Sequence, residues 1–218
     1  MKPAPFKKLN DFFSQFKLLH YKKREIILRP DDTPSGVFYL CKGYARLYSI
    51  SQAGEELTLI IFKPEDFFPI VWTINNTENI YYFEAMTQVE LWRAPREQFL
   101  DFMKSNSDVF FELTSRILVR FGGLLERMEY LVFGSAYQKV ASILVICAQR
   151  FGLKEGKGIK IRVPLTHKDI ANLVGITRET ASVEMKKLER KGLIYYRGRL
   201  FIIKDIKGLE KESLLNSS

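Results

Sequence analysis

Residues 166–191 read THKDIANLVGITRETASVEMKKLERK, and this stretch decides the C-terminal fold. Thr166 followed three residues later by Asp169 has the form of a capping box, in which side chains at a helix start satisfy each other's backbone donors. Ile170, Leu173 and Val174 then recur at i, i+3 and i+4, the apolar stripe of a helix. Gly175 stands where a helix ends in a left-handed residue, a conformation glycine takes without a Cβ penalty. Thr177 can cap a second helix. In that helix Ala181, Met185 and Leu188 keep one face apolar, while Arg178, Glu179, Ser182 and Lys186 fall off it. The spacing predicts two short helices joined by a tight turn, the second with polar groups crowded at its start.

Downstream, Leu193-Ile194-Tyr195-Tyr196, then Arg197-Gly198, then Arg199-Leu200-Phe201-Ile202-Ile203 reads as a hairpin with a glycine turn. Upstream, Ile159-Lys160-Ile161-Arg162-Val163 alternates apolar and basic residues and reads as an edge strand of the same small sheet. A helix-turn-helix with such a β-wing is a winged helix, whose second helix places its N-terminal side chains in the major groove. Leu165, Asp169-Ile170, Leu173-Val174-Gly175, Arg178-Glu179-Thr180, Leu188 and Gly192-Leu193-Ile194 resemble the DNA-binding domain of the CRP/FNR family of bacterial transcription regulators.

Charge divides the chain in the same way. The net charge of +9 comes from 34 basic and 25 acidic residues among 218. Residues 138–218 hold 17 Lys/Arg against 8 Asp/Glu, and residues 1–137 hold 17 of each. The whole basic excess therefore lies with the helix-turn-helix, as expected of a phosphate-contacting domain joined to a neutral one.

From about Lys22 to Trp92 the chain reads as short β-segments. Glu25–Leu28, Gly36–Leu40, Tyr44–Tyr48, Leu57–Phe62, Tyr81–Ala85 and Val89–Trp92 are rich in β-branched and aromatic residues, with breaks at Pro30-Asp31-Asp32, Lys42-Gly43, Ala53-Gly54 and Lys63-Pro64. The order Val37–Leu40, Gly43, Ala45–Leu47, Phe67-Phe68 resembles the cyclic-nucleotide-binding β-roll. In nucleotide-binding members of that family, the resemblance implies a Gly-Glu pair after the aspartate-aromatic step and an Arg-Ser pair beyond it, for ribose and cyclic phosphate. Here Asp66-Phe67-Phe68 is followed by Pro69-Ile70, and the later pair aligns near Asn79-Ile80. Proline also removes a backbone donor. Each missing charge-assisted contact to a phosphate costs about 1.5–3 kcal/mol, so cyclic AMP is not the expected ligand. Phe67, Phe68, Trp72, Tyr81 and Tyr82, with Phe83, admit two readings: lining for an apolar effector pocket, or filling for the roll's own core. The effector is left unknown, and constitutive activity is the other outcome.

Asp108 to Phe133 has the spacing of a long helix. Phe111, Leu118, Leu125 and Val132 recur every seven residues, with Thr114, Phe121 and Met128 between them, an a/d seam that predicts a homodimer. A second stripe, Phe110, Leu113, Ile117, Leu124 and Leu131, suits packing on the protomer's own roll. Gly122-Gly123 interrupts the helix, either for close approach of a partner helix or as a weak point. Gly134-Ser135 marks the hinge.

The expected architecture is α+β: a jelly-roll-like β-roll sensor over residues 1–107, a dimerisation helix and hinge over 108–136, and a winged helix-turn-helix over 137–218. The partner is double-stranded DNA with two-fold-related half-sites. Arg178 suits a bidentate contact to guanine and Glu179 to cytosine N4, with Ser182 one turn on. Thr166, His167, Thr177, Lys186, Arg197 and Arg199 are placed for phosphates. Family members usually carry an arginine where this chain has Val183, which can meet a thymine methyl or turn inward as packing. Gly152–Gly158 lies where the resemblance implies contact with RNA polymerase in activators; a flexible basic loop is the other reading.

Other classes are disfavoured. No nucleophile–base pair, metal-ligand cluster or phosphate-cradling loop stands out, so no catalytic residue, metal or cofactor is expected. Cys41 and Cys147 cannot supply the several cysteines of the FNR branch's iron–sulfur cluster, and neither His20 nor His167 falls where a haem ligand is expected. The start Met1–Lys8 lacks a signal peptide's apolar stretch and no run spans a bilayer, so a cytoplasmic protein is expected. The rival is a protein-interaction module built from the same two domains, against which the concentrated positive charge argues.

Overall fold

The computed structural model describes residues 4–197 and 200–215. These form two compact units, one within residues 4–49 and 59–121, the other within residues 50–58, 122–197 and 200–215. The first holds α1 (Ala4–Phe13), β1 (Lys17–Tyr21), β2 (Ile26–Leu28), β3 (Val37–Lys42), β4 (Ala45–Ile50), most of β5 (Glu56–Phe62), β6 (Phe67–Phe68), α2 (Ile70–Asn75), β7 (Tyr82–Ala85), β8 (Val89–Ala94) and α3 (Arg96–Ser105). It also takes the first half of α4 (Ser107–Phe133). Two four-stranded sheets, in the orders β1-β8-β3-β6 and β2-β7-β4-β5, make the expected β-roll.

Strand periodicity explains two cores in this unit. Phe38 and Leu40 of β3 join Leu28, Leu47, Phe62, Phe68, Phe83 and Leu91 in the roll interior. Val37 and Tyr39, one residue out of phase, join Leu9, Phe13, Phe67, Phe99, Met103, Val109 and Leu113 in a second layer built with α1, α3 and α4. A strand buried on both faces reads as a continuous apolar run, which is how Val37–Leu40 appears.

The second unit continues α4 and adds α5 (Ala136–Phe151), β9 (Gly152–Glu155), β10 (Gly158–Ile161), α6 (His167–Val174), α7 (Arg178–Arg190), β11 (Ile194–Arg197), β12 (Leu200–Ile203) and α8 (Ile206–Lys211). Ser135 caps α5 with a capping box completed by Gln138. Two expectations are corrected here. The sheet order β11-β12-β10-β9 makes β10 an inner strand, not an edge. The reason is that residues 152–158 are not a loop: β9 pairs with β10 through Gly158↔Glu155, and Gly156 turns the chain at φ 61.

On α4 the apolar seam residues are open, from 48% exposed at Leu125 to 77% at Phe111, while Thr114 between them is half-buried. The second stripe does not hold as a buried face. Leu113 is buried, but Phe110 and Leu124 are exposed, and the buried positions are Val109, Leu113, Arg127 and Tyr130. An added Cβ at Gly122 or Gly123 would meet nothing within 4 Å, so packing within the protomer does not require either glycine.

Candidate nucleic-acid interface

Helix ends position the reading head. Thr166 Oγ1 accepts from the Asp169 N–H at 3.2 Å, and the Asp169 carboxylate accepts from the Thr166 N–H at 2.7 Å, closing the capping box. Gly175 ends α6 at φ 65, ψ 44, and its N–H bonds the Ala171 carbonyl. Thr177 then caps α7 by accepting from the Thr180 N–H at 3.2 Å. Ala181, Met185 and Leu188 bury one face of α7 against the domain core.

The opposite face carries Glu179, Val183 and Lys186, and Arg178 stands in the first turn beside the buried stripe; all four are exposed. Val183 is 52% exposed, so it does not turn inward as packing. Ser182 is half-buried, its Oγ 2.8 Å from His167 Nδ1. The His167 ring in turn lies 6.0 Å from Tyr196 of β11 and 6.4 Å from Phe201 of β12. His167 and Ser182 thus bind each other and tie α6 and α7 to the wing. The hydroxyls of Thr166 and Thr177 are likewise engaged as helix caps. Arg197 is exposed at the end of β11, while Arg199 lies outside the described residues.

The aromatic residues singled out in the roll do not converge on one cavity. Phe68 stacks in the interior with Phe38 at 5.7 Å, Phe62 at 4.8 Å and Phe83 at 5.1 Å. Phe67 points into the other layer, 5.4 Å from Phe99, and Trp72 packs against that same layer. Tyr81 is half-buried beside the roll interior, and Tyr82 stacks on Tyr48 at 5.0 Å. Asn79, where nucleotide-binding members carry the phosphate arginine, is buried and donates to the carbonyls of Arg29 at 2.6 Å and Tyr81 at 2.8 Å. The Phe68–Pro69 peptide is cis, and Pro69 leads into α2.

Several charged residues were not singled out by sequence. The Asp66 carboxylate, fully buried, accepts from Arg116 at 2.9 Å and from Arg120, both on α4. On the same helix Arg127 is buried and bonds two backbone carbonyls, those of Thr58 and Leu173. On α4 the sequence signal was three arginines spaced four and seven residues apart on a helix otherwise rich in apolar side chains.

No group of three or more metal-ligating side chains occurs among the described residues. Burial pushes the Cys147 thiol up to about 12 and the Cys41 thiol up to about 11, so neither is a thiolate at neutral pH. No helix among the described residues is long and apolar enough to cross a membrane.

A cyclic nucleotide-binding domain matches residues 18–106, and a Crp-like helix-turn-helix domain matches residues 138–212. The chain belongs to the CRP/FNR family. A global nitrogen regulator of Nostoc sp. is 31% identical over 180 residues, covering 80% of this chain and 79% of the relative. A CRP-like cAMP-activated global transcriptional regulator of Mycobacterium tuberculosis is 25% identical over 198 residues, covering 85% and 88%. Among solved structures, a mutant of CooA from Carboxydothermus hydrogenoformans superposes with a TM-score of 0.80 at 24% identity, over 97% of this chain and 96% of that one. FixK2 from Bradyrhizobium japonicum gives 0.78 at 20% identity, over 93% and 99%. At these identities the superpositions show the fold. As a family member the protein is a transcription regulator with a helix-turn-helix DNA-binding domain, and not an enzyme.

Proposed function

We propose that the protein is a homodimer that reads two-fold-related DNA half-sites through α7 and does not take cyclic AMP as its signal. Residues 1–107 act as the sensor, 108–136 as the dimerisation helix and hinge, and 137–218 as the reading domain. The observation that carries this reading is the set of exposed residues Arg178, Glu179, Val183 and Lys186 on a helix that buries Ala181, Met185 and Leu188 in the core. Arg178 and Glu179, in the first turn, contact base edges; Val183 meets a thymine methyl; Lys186 and Arg197 neutralise phosphates. Thr166, Thr177, His167 and Ser182 serve first as caps and ties, and approach DNA through the surfaces they fix.

Dimerisation is supported by Phe111, Leu118, Phe121, Leu125, Met128 and Val132, which leave a continuous apolar seam open on the protomer. Two copies joined along α4 would present reading helices for half-sites about 34–36 Å apart, one turn of DNA. The reading on cyclic AMP rests on the phenylalanine-filled roll interior and on Asn79 in place of a phosphate cation. Selection of bound sequences from random DNA, followed by binding at several salt concentrations, tests the proposal. A two-fold-symmetric site with steep salt dependence is expected. Recovery of asymmetric or random sequence, or flat salt dependence, overturns it.

A further inference from the structure

Arg127 sits in the second half of α4 and is 7% exposed. Its Nη2 donates to the Thr58 carbonyl at 2.6 Å and to the Leu173 carbonyl. Leu173 is the penultimate residue of α6, so its carbonyl belongs to the last turn, whose acceptors the helix ladder leaves over. The turn's own closing bonds run from the Gly175 and Ile176 N–H groups to the Ala171 carbonyl. A cation at this end also faces the negative pole of the helix dipole.

Thr58 lies in the segment 50–58, the tip of the β4–β5 hairpin, which is part of the same compact unit as residues 122–218. One further contact fastens that tip to the end of α6: Asn172 Nδ2 donates to the Glu56 carboxylate at 2.9 Å. α4, the hairpin tip and the end of α6 therefore meet at one guanidinium.

A charge in this setting is expensive for a scaffold. Burial lowers the Arg127 pKa, so the charge is held against its desolvation cost, and removing it would leave two carbonyls without this donor. A guanidinium does what an apolar group cannot: it holds two carbonyls from different elements at fixed directions. We propose that Arg127 is a positioning residue for DNA reading, setting how the α6–α7 turn is presented relative to α4 and the β4–β5 hairpin. A shift of α4 or of the hairpin is thereby felt at the turn that aims α7. The inference rests on α7 contacting DNA.

The test compares full-length wild type with Arg127→Met and Arg127→Lys for melting temperature, dimer mass, and binding to the selected operator and to random DNA across salt. Hydrogen bonds to charged groups carry enough energy that Arg127→Met should lose about tenfold or more in operator affinity. A drop in melting temperature is expected because two buried carbonyls lose their donor, but the folded variant should keep the wild-type random-DNA affinity and salt slope, and Arg127→Lys should recover part of the operator loss. Operator affinity within about twofold of wild type in a folded Arg127→Met dimer overturns the proposal, since the bond energies imply more. Parallel loss on operator and random DNA also overturns it, marking a general structural role. Should Arg127→Met fail to fold, Glu56→Ala decides: about a threefold operator-specific loss is expected for one hydrogen bond, and none would sink the idea. Failure of wild type itself to bind DNA would refute the function rather than the positioning.

Discussion

In the winged helix, polar side chains stand out from a face whose other side is core; in the β-roll, the positions aligned with ligand contacts are folded into the scaffold. Arg178, Glu179 and Lys186 have solvent around them and no core role. Asn79 is buried and bonded to two backbone carbonyls, and Phe68 is one of four stacked phenylalanines. Both regions keep the family's backbone, but they spend their side chains differently. A reading surface can change its residues without unfolding, because nothing packs on it. Side chains stacked in an interior are part of what keeps the domain folded.

The largest effect should come from the exposed α4 seam proposed to join two reading heads. Leu118→Glu with Leu125→Glu alters only residues exposed in the protomer. It should yield a folded monomer by sedimentation, with operator affinity lower by about 10²–10⁴ through loss of the second contact. A double variant that stays dimeric would show that the seam lies elsewhere. Next, Phe68→Ala should destabilise the roll by about 3–5 kcal/mol in chemical denaturation. Wild-type stability would instead place Phe68 in a ligand cavity and erase the contrast between the two regions.

On the reading side, Arg178→Ala should cost about 1–3 kcal/mol and relax preference at one base pair, with no change in melting temperature. Equal loss on operator and random DNA would remove it from base reading. The smallest effect is that of Lys186→Ala, which should weaken binding to all sequences and lower the slope of log K against log salt by about one unit. An unchanged slope would exclude a phosphate contact.

How far each region could be read from sequence follows from where its determinants lie. Thr166, Asp169, Gly175 and Thr177 act on their near neighbours, so the caps and the turn of the reading head were legible as written. The long helix α4 was legible because its apolar spacing keeps a helical period. Helix α5 carries no such signal: residues 140–145 are buried without interruption, so it shows no stripe. Alternation in Ile159–Val163 reported the two faces of a strand but not whether both its edges were paired, and β9 took the second edge. Asp66, Arg116, Arg120 and Arg127 were illegible because their partners are 46 to 69 residues away in the chain.

One consequence of the doubly buried strand β3 concerns how its alignment is chosen. A slip of one residue would send Val37 and Tyr39 into the sandwich and Phe38 and Leu40 into the helical layer. All four are apolar, so hydrophobicity alone sets little penalty on the error. The ends of the strand supply it. A Cβ on Gly36 would lie 2.5 Å from the Ala94 carbonyl oxygen, and one on Gly43 would lie 2.2 Å from that of Gln88. Only glycine fits at either place, and a slipped strand would bring a side chain against one of those carbonyls. Two residues with no side chains thus act as the stops that tell the chain which of two oily faces is which.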